Sequence, residues 1–343
     1  MNKICAFVIA AVLLFAGKVF SQDIHFSQFY ASPLTLNPAL TGKMTGDYRL
    51  AAIYRSQWKS ITGGAPAYST PGASFDIPFV FGKNLNNAVG AGVQFVYDMT
   101  NDGRLNTLHL LASVAYHRAL DKNFNHQISL GFQGGIQQLS IKTNDFTFGD
   151  QFDQNGSPTL TTQESFSGDS KTNPAFNAGF FYSGRIVKKL TLFAGYSLFN
   201  LGEPDEVITN NGLTQSPRYM RHVVHGGLDW RAGKTISILP GVIFMTQAKA
   251  QEVNFGSNIG IDVSQKPGAE ATLFLGAWYR WDDAVIPMAA LELMKRLRVG
   301  FSYDVTTSSV ADFNENRGGF EISLIYIGKI VRVREANLFC PRF

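Results

Sequence analysis

The sequence predicts an all-β protein, a transmembrane antiparallel barrel of the outer-membrane type with about fourteen strands. Three observations predict it. Stretch after stretch alternates apolar and polar residues with period two, which gives a strand one greasy and one polar face. Most stretches are near the ~10 residues a tilted membrane strand needs. From residue 22 onward no apolar run is long enough for a membrane helix, and Phe and Tyr close many of the apolar sets.

Taken in order, residues 1–21 read as a secretory signal peptide. Lys3 gives a basic start, 4–16 an apolar core, and Val19-Phe20-Ser21 a small residue before the cut. Cys5 lies inside this segment without an acylation motif, so the rest of the chain keeps only Cys340 and no intrachain disulfide. The formal net charge of +4 falls when Lys3 and Lys18 leave with the leader. A weakly basic chain without a clustered basic face argues against a nucleic-acid partner.

Residues 22–47 precede the first alternating stretch. They carry aromatic residues, two prolines, and the turn signals Asn37-Pro38 and Thr41-Gly42. This segment is expected to be a periplasmic or lumen-associated lead-in, packed across the barrel mouth or partly filling a polar lumen. Strands are expected near 48–58, 67–77, 88–98, 105–118, 126–140, 174–185 and 189–199. The second half supplies 221–231, 236–247, 253–263, 272–281, 286–293, 296–305 and 318–328. The parity is clear in the last hairpins, where Val299, Phe301 and Tyr303 oppose Gly300, Ser302 and Asp304. Gly131, Gly134 and Gly135 weaken a strand yet suit a tightly curved wall. Residues 48–328 thus form the barrel, and 329–343 a C-terminal tail.

An even strand count puts both ends of the barrel wall on one side, which in this class is the periplasm. The long connections 141–173, 200–220 and 306–317 then follow strands five, seven and thirteen and face outward. Val187-Lys188-Lys189, Ala232-Gly233-Lys234 and Met294-Lys295-Arg296 become short periplasmic turns, the asymmetry of bacterial barrels. The polar composition of 141–173 fits an exposed loop, flexible or partner-binding.

No catalytic constellation stands out. His109 and His117 share a parity but lie too far apart along one strand to chelate one metal, and His222 and His225 differ in parity. Asp282-Asp283 falls in a turn. There is no phosphate-binding Gly-rich loop and no nucleophile elbow. The reading is therefore a non-enzymatic barrel with no cofactor and no metal. A passive porin or a hydrophobic-substrate channel is the alternative, and a barrel enzyme ranks below both.

Ser27-Gln28-Phe29-Tyr30 followed by Asn37-Pro38-Ala39-Leu40-Thr41-Gly42 resembles the PorP/SprF family of Bacteroidetes. So do Tyr54-Arg55-Ser56-Gln57-Trp58, the segment 300–308, and the Cys-Pro-Arg-Phe ending at 340–343. The resemblance covers nearly the whole chain after the leader. It implies an outer-membrane component of the type IX secretion system. Its expected partners are translocon subunits, a periplasmic lipoprotein ring and a cognate secreted protein such as a gliding adhesin, all in a setting of outer-membrane lipid and lipopolysaccharide. Aromatic and Arg residues are the usual anchors of protein interfaces. The candidate partner-binding residues are accordingly Phe29, Tyr30, Asn37 and Pro38 at the start, and Phe339, Cys340, Pro341, Arg342 and Phe343 at the end.

Overall fold

The computed structural model describes residues 23–58, 68–80, 87–100, 103–142, 146–153, 155–162, 169–207, 216–309 and 311–330. Residues 1–21, expected to be a signal peptide, and the candidate residues Phe339 to Phe343 lie outside them. Fourteen strands form the wall. The first seven are β1 (Tyr48–Gln57), β2 (Tyr68–Val80), β3 (Asn87–Thr100), β4 (Leu105–Ala119), β5 (His126–Ile141), β6 (Ser170–Val187) and β7 (Leu190–Phe199). The rest are β8 (Arg221–Trp230), β9 (Ile236–Gln247), β10 (Ala250–Ser264), β11 (Ala271–Arg280), β12 (Ala284–Leu293), β13 (Leu297–Thr306) and β14 (Arg317–Gly328). Each coincides with one predicted stretch.

Every strand pairs antiparallel with its sequence neighbours, and β1 pairs with β14 from Tyr48↔Gly328 to Gln57↔Gly319, which closes the barrel. Closure leaves no sheet edge, the condition for a β structure in hydrocarbon. The connections after odd strands include 142–169, 200–220 and 307–316, whereas those after even strands include 188–189 and 294–296. We call the two rims the long-loop end and the short-turn end.

Side-chain exposure follows the predicted parity. Leu50, Phe95, Leu110, Phe132, Phe180, Leu275, Val299 and Leu324 point outward and are exposed. Gln94, Ser113, Gln133, Asn177, Ser197 and Asn258 point inward and are buried. Phe301 is 49% exposed, while Ser302 beside it is 0%. A continuous exposed apolar band of this kind suits a lipid solvent and not water. Aromatic pairs mark both rims. Tyr48 and Tyr326 sit at the short-turn end, with rings 6.0 Å apart. Trp58 and Tyr68, 5.4 Å apart, and Tyr279 and Trp281, 6.2 Å apart, sit at the long-loop end.

Candidate functional site: an occupied lumen with two mouths

The inward face sets many buried polar groups beside apolar ones such as Phe181, Trp278 and Ile286, so whatever fills the lumen must satisfy its donors and acceptors. Residues 23–44 do so. The segment starts at the long-loop end. The Asp23 backbone N–H donates to Gln247, the last residue of β9, at 2.8 Å. Its carboxylate pairs with Arg218 at 2.5 Å and accepts from Asn200 at 2.6 Å. The chain then descends through short helical turns at Phe29–Ala31, Pro33–Leu36 and Pro38–Leu40. Pro33 and Pro38 open the last two turns, where the missing N–H costs nothing. The Asn37 side chain accepts from the Ala39 N–H and so caps the third.

The segment ends near the short-turn end. Gly42, at φ 73°, donates its N–H to Asp76 at 2.6 Å. Arg49 holds the same carboxylate at 2.7 Å and also donates to the Leu40 carbonyl at 3.0 Å. Lys43 Nζ donates to Gln127 at 2.9 Å and lies 5.5 Å from the Phe181 ring centre. His117 meets the Thr41 carbonyl at 2.7 Å, and the Thr41 hydroxyl bonds Ser113.

Between the ends, the wall reads the segment's backbone. Gln133 Nε2 donates to the Leu34 carbonyl at 2.9 Å and Ser197 Oγ to the Leu36 carbonyl at 2.8 Å. Asn37 Nδ2 donates to the Phe180 carbonyl at 2.9 Å and lies 3.1 Å from His225 Nε2. Two wall glycines make room. A Cβ at Gly131 would overlap the Pro38 carbonyl group, and one at Gly90 would overlap the Thr41 carbonyl. Gly131 therefore does more than suit wall curvature: it admits a second backbone.

The four candidate residues of this segment are thus inside the barrel. Phe29 packs edge-on against Trp278 with centroids 5.2 Å apart, and Tyr30 Oη donates to Met288 Sδ at 3.4 Å. Asn37 is the polar hub just described, and Pro38 lies against Gly131. Their observed contacts are with the lumen wall.

Sequence reasoning missed a cluster of buried charges near the long-loop end. Glu321 of β14 accepts the backbone N–H groups of Ser27 and Gln28, both at 2.7 Å, and pairs with Arg55 of β1 at 2.8 Å. Asp304 of β13 pairs with Arg55 at 3.2 Å and with Arg280 of β11 at 3.0 Å. The Ser27 hydroxyl donates to Asp304 at 2.8 Å and accepts from Arg55 at 3.2 Å and Arg280 at 2.5 Å. Charges this deep persist only when paired and hydrogen-bonded. Ser27, Arg55 and Asp304 come from the three internal segments on which the family resemblance rests, and here they meet. The signal was available: Arg49, Arg55, Asp304 and Glu321 are charges at inward-parity positions of predicted strands.

Two cavities flank the segment. The long-loop mouth holds one of about 950 Å³. Asp23, Asp98, Glu252, Asp282 and Asp283 line it against Arg55 and Arg280, with His25 bonded to Glu252 at 2.9 Å. Five carboxylates minus two guanidinium groups make this mouth acidic by three charges. Trp58, Tyr68 and Trp281 share its lining. The short-turn mouth holds one of about 650 Å³, where Arg49, Lys295, Arg296, Arg298 and Lys329 face Glu270 and Glu292. Five cations minus two carboxylates make it basic by three. Below the long-loop mouth, voids beside the segment measure about 40 and 20 Å³, and one of about 10 Å³ lies at that rim between Gln247 and Glu252. In the long loops, backbone N–H donors hold two carboxyls below the usual range, Ser216 and Val207 at Asp205, and Ser157 and Asn155 at Asp153.

His109 and His117 both face inward at separate levels, and His225 faces inward while His222 bonds Tyr196 Oη on the outer face at 2.8 Å. Among the described residues, no three His, Cys, Asp or Glu groups converge to hold a metal ion.

The barrel is similar to solved outer-membrane barrels. The Ralstonia pickettii toluene transporter TbuX superposes with a TM-score of 0.50 at 11% identity, over 87% of this chain and 93% of that one. The CymD monoaromatic hydrocarbon channel gives 0.48 at 10%, over 89% and 94%. At these identities the likeness is one of fold. No curated protein matches the chain. The family model described as type IX secretion system membrane protein PorP/SprF matches residues 18–326, and the chain belongs to that family.

Proposed function

We propose that this PorP/SprF protein is a non-enzymatic outer-membrane component that supports export or surface anchoring of a cognate secreted protein, such as a gliding adhesin, through protein contacts. One observation carries the reading: the lumen is occupied by residues 23–44, fastened at one end by the buried Asp23–Arg218 ion pair, at the other by hydrogen bonds to the paired Arg49 and Asp76, and along its length by wall side chains. A lumen filled this way suits a protein that works through its rims and loops and not through a solute path. The long loops face the outside, where a secreted protein arrives. The short turns and the tail bearing Phe339, Cys340, Pro341, Arg342 and Phe343 face the periplasm, where the translocon and its lipoprotein ring are met. Residues 1–21 are removed on the way.

The test has two arms. The native protein is isolated from outer membranes and its bound proteins identified, with and without residues 337–343. Type IX components or a secreted protein should remain bound, and the truncation should lose part of that set. In planar bilayers the purified barrel should conduct at background level. Steady conductance with no bound protein would refute the proposal in favour of the channel reading.

A further inference from the structure

The short-turn cavity has a composition that wall and lumen packing do not explain. Its floor is apolar: Tyr30, Pro33 and Met44 come from the lumen segment, and Ile325 and Ile327 point inward from β14. Of its five cations, Arg49 is committed to Asp76 at 2.7 Å and Arg298 to Glu292 at 2.7 Å. Lys295 and Arg296, in the turn after β12, and Lys329, just after β14, form no ion pair among the described residues. Glu270 already accepts the Gly268 N–H at 3.0 Å. A pocket within the usual range of roughly 300–1,000 Å³ that sets an apolar floor against charged groups at its rim can take a small molecule with one apolar and one charged end.

From this arrangement we infer that the short-turn mouth binds an amphiphile with one acyl chain and an anionic head group. The chain lies on Tyr30, Met44, Ile325 and Ile327. The head group, a carboxylate or a phosphate, meets Arg296, Lys295 and Lys329 at the rim. Each CH₂ removed from water adds to the driving force, so chain length sets affinity and the rim sets head-group preference. The site also touches both the barrel seam and residues 30–45, so an occupant braces the segment's exit against β14.

The experiment uses the full-length barrel in a neutral detergent and an undecanoic acid carrying a dansyl group at its far end as probe. Saturable fluorescence should be displaced by palmitate or by lysophosphatidylglycerol, and at least tenfold less well by hexadecanol. The better of the two anions identifies the head group. The double variant Arg296→Glu with Lys329→Glu should lower probe affinity at least tenfold while heat-modifiable migration on gels stays unchanged. Ile327→Trp, which fills the floor, should reduce binding of anion and alcohol alike. Equal competition by hexadecanol, unchanged affinity in the folded charge-reversal variant, or a signal that never saturates would each overturn the inference.

Discussion

Replacing Glu321 by alanine should detach the head of the lumen segment. The side chain is 1% exposed and holds three groups at once: the Ser27 N–H, the Gln28 N–H and the Arg55 guanidinium. Hydrogen bonds to a charged group contribute about 1.5–3 kcal/mol each. These three share one carboxylate and do not add. The better measure is removal of one partner from a buried ion pair, which costs about 3–5 kcal/mol because the other charge stays buried. Arg55 keeps Asp304 at 3.2 Å, which places the expected loss toward the lower part of that range. At 1.4 kcal/mol per factor of ten, a loss of about 3 kcal/mol shifts the folding equilibrium roughly a hundredfold. The assay is guanidinium unfolding of the barrel in lipid vesicles, followed by tryptophan fluorescence. Glu321→Gln, which retains one acceptor, should fall between wild type and Glu321→Ala. Glu315→Ala, whose partner Arg317 is 64% exposed, should leave the midpoint in place. A loss below about 1 kcal/mol in Glu321→Ala would refute the view that the segment is locked by this carboxylate.

Three further outcomes follow from the same geometry. Gly131→Val should destabilise by about 1–3 kcal/mol, because any Cβ there overlaps the Pro38 carbonyl group, and the same unfolding assay reads it. Phe301→Arg puts a charge on the lipid face and should cost about 2–4 kcal/mol if Phe301 lies near the bilayer midplane, measured as folding yield into vesicles. In a Cys340→Ser background, cysteine at exposed Asn155 should react with an impermeant maleimide on whole cells, whereas cysteine at Lys188 should react only after the outer membrane is opened; the reverse pattern would invert the barrel.

The wall was legible because a membrane barrel imposes one rule on every strand. Lipid outside and polar lumen inside fix the parity of each residue, so Phe301 and Ser302 could be assigned from the pattern alone. Strand ends were less legible. Stretch β6 begins at Ser170, four residues before the predicted 174, because its first residues pair with β5 from Ser140 onward in a polar sequence that carries no alternation. Pairing beyond the membrane is set by the neighbouring strand and not by lipid, so it leaves no period to read.

The lumen segment was expected inside or across the barrel, but its path and contacts were illegible for a different reason. Its residues are buried on all sides, against polar and apolar wall groups alike, so neither a 2-residue nor a 3.6-residue period marks an inside face. Its partners are remote as well: Gln28 accepts from Ser323, 295 positions away. What the sequence does carry is the other half of each contact. Arg55, Asp304 and Glu321 are ionisable groups at inward positions of three strands that meet at the β1–β14 closure. Two carboxylates and one guanidinium leave an unbalanced buried charge, and Arg280 balances it from β11. Even a neutral set leaves lone pairs on Glu321 that only donors can satisfy. Two adjacent backbone N–H groups meet that need with no added charge, and Ser27 and Gln28 supply them. The wall's charges therefore account for backbone, and not a third arginine, at this level of the lumen.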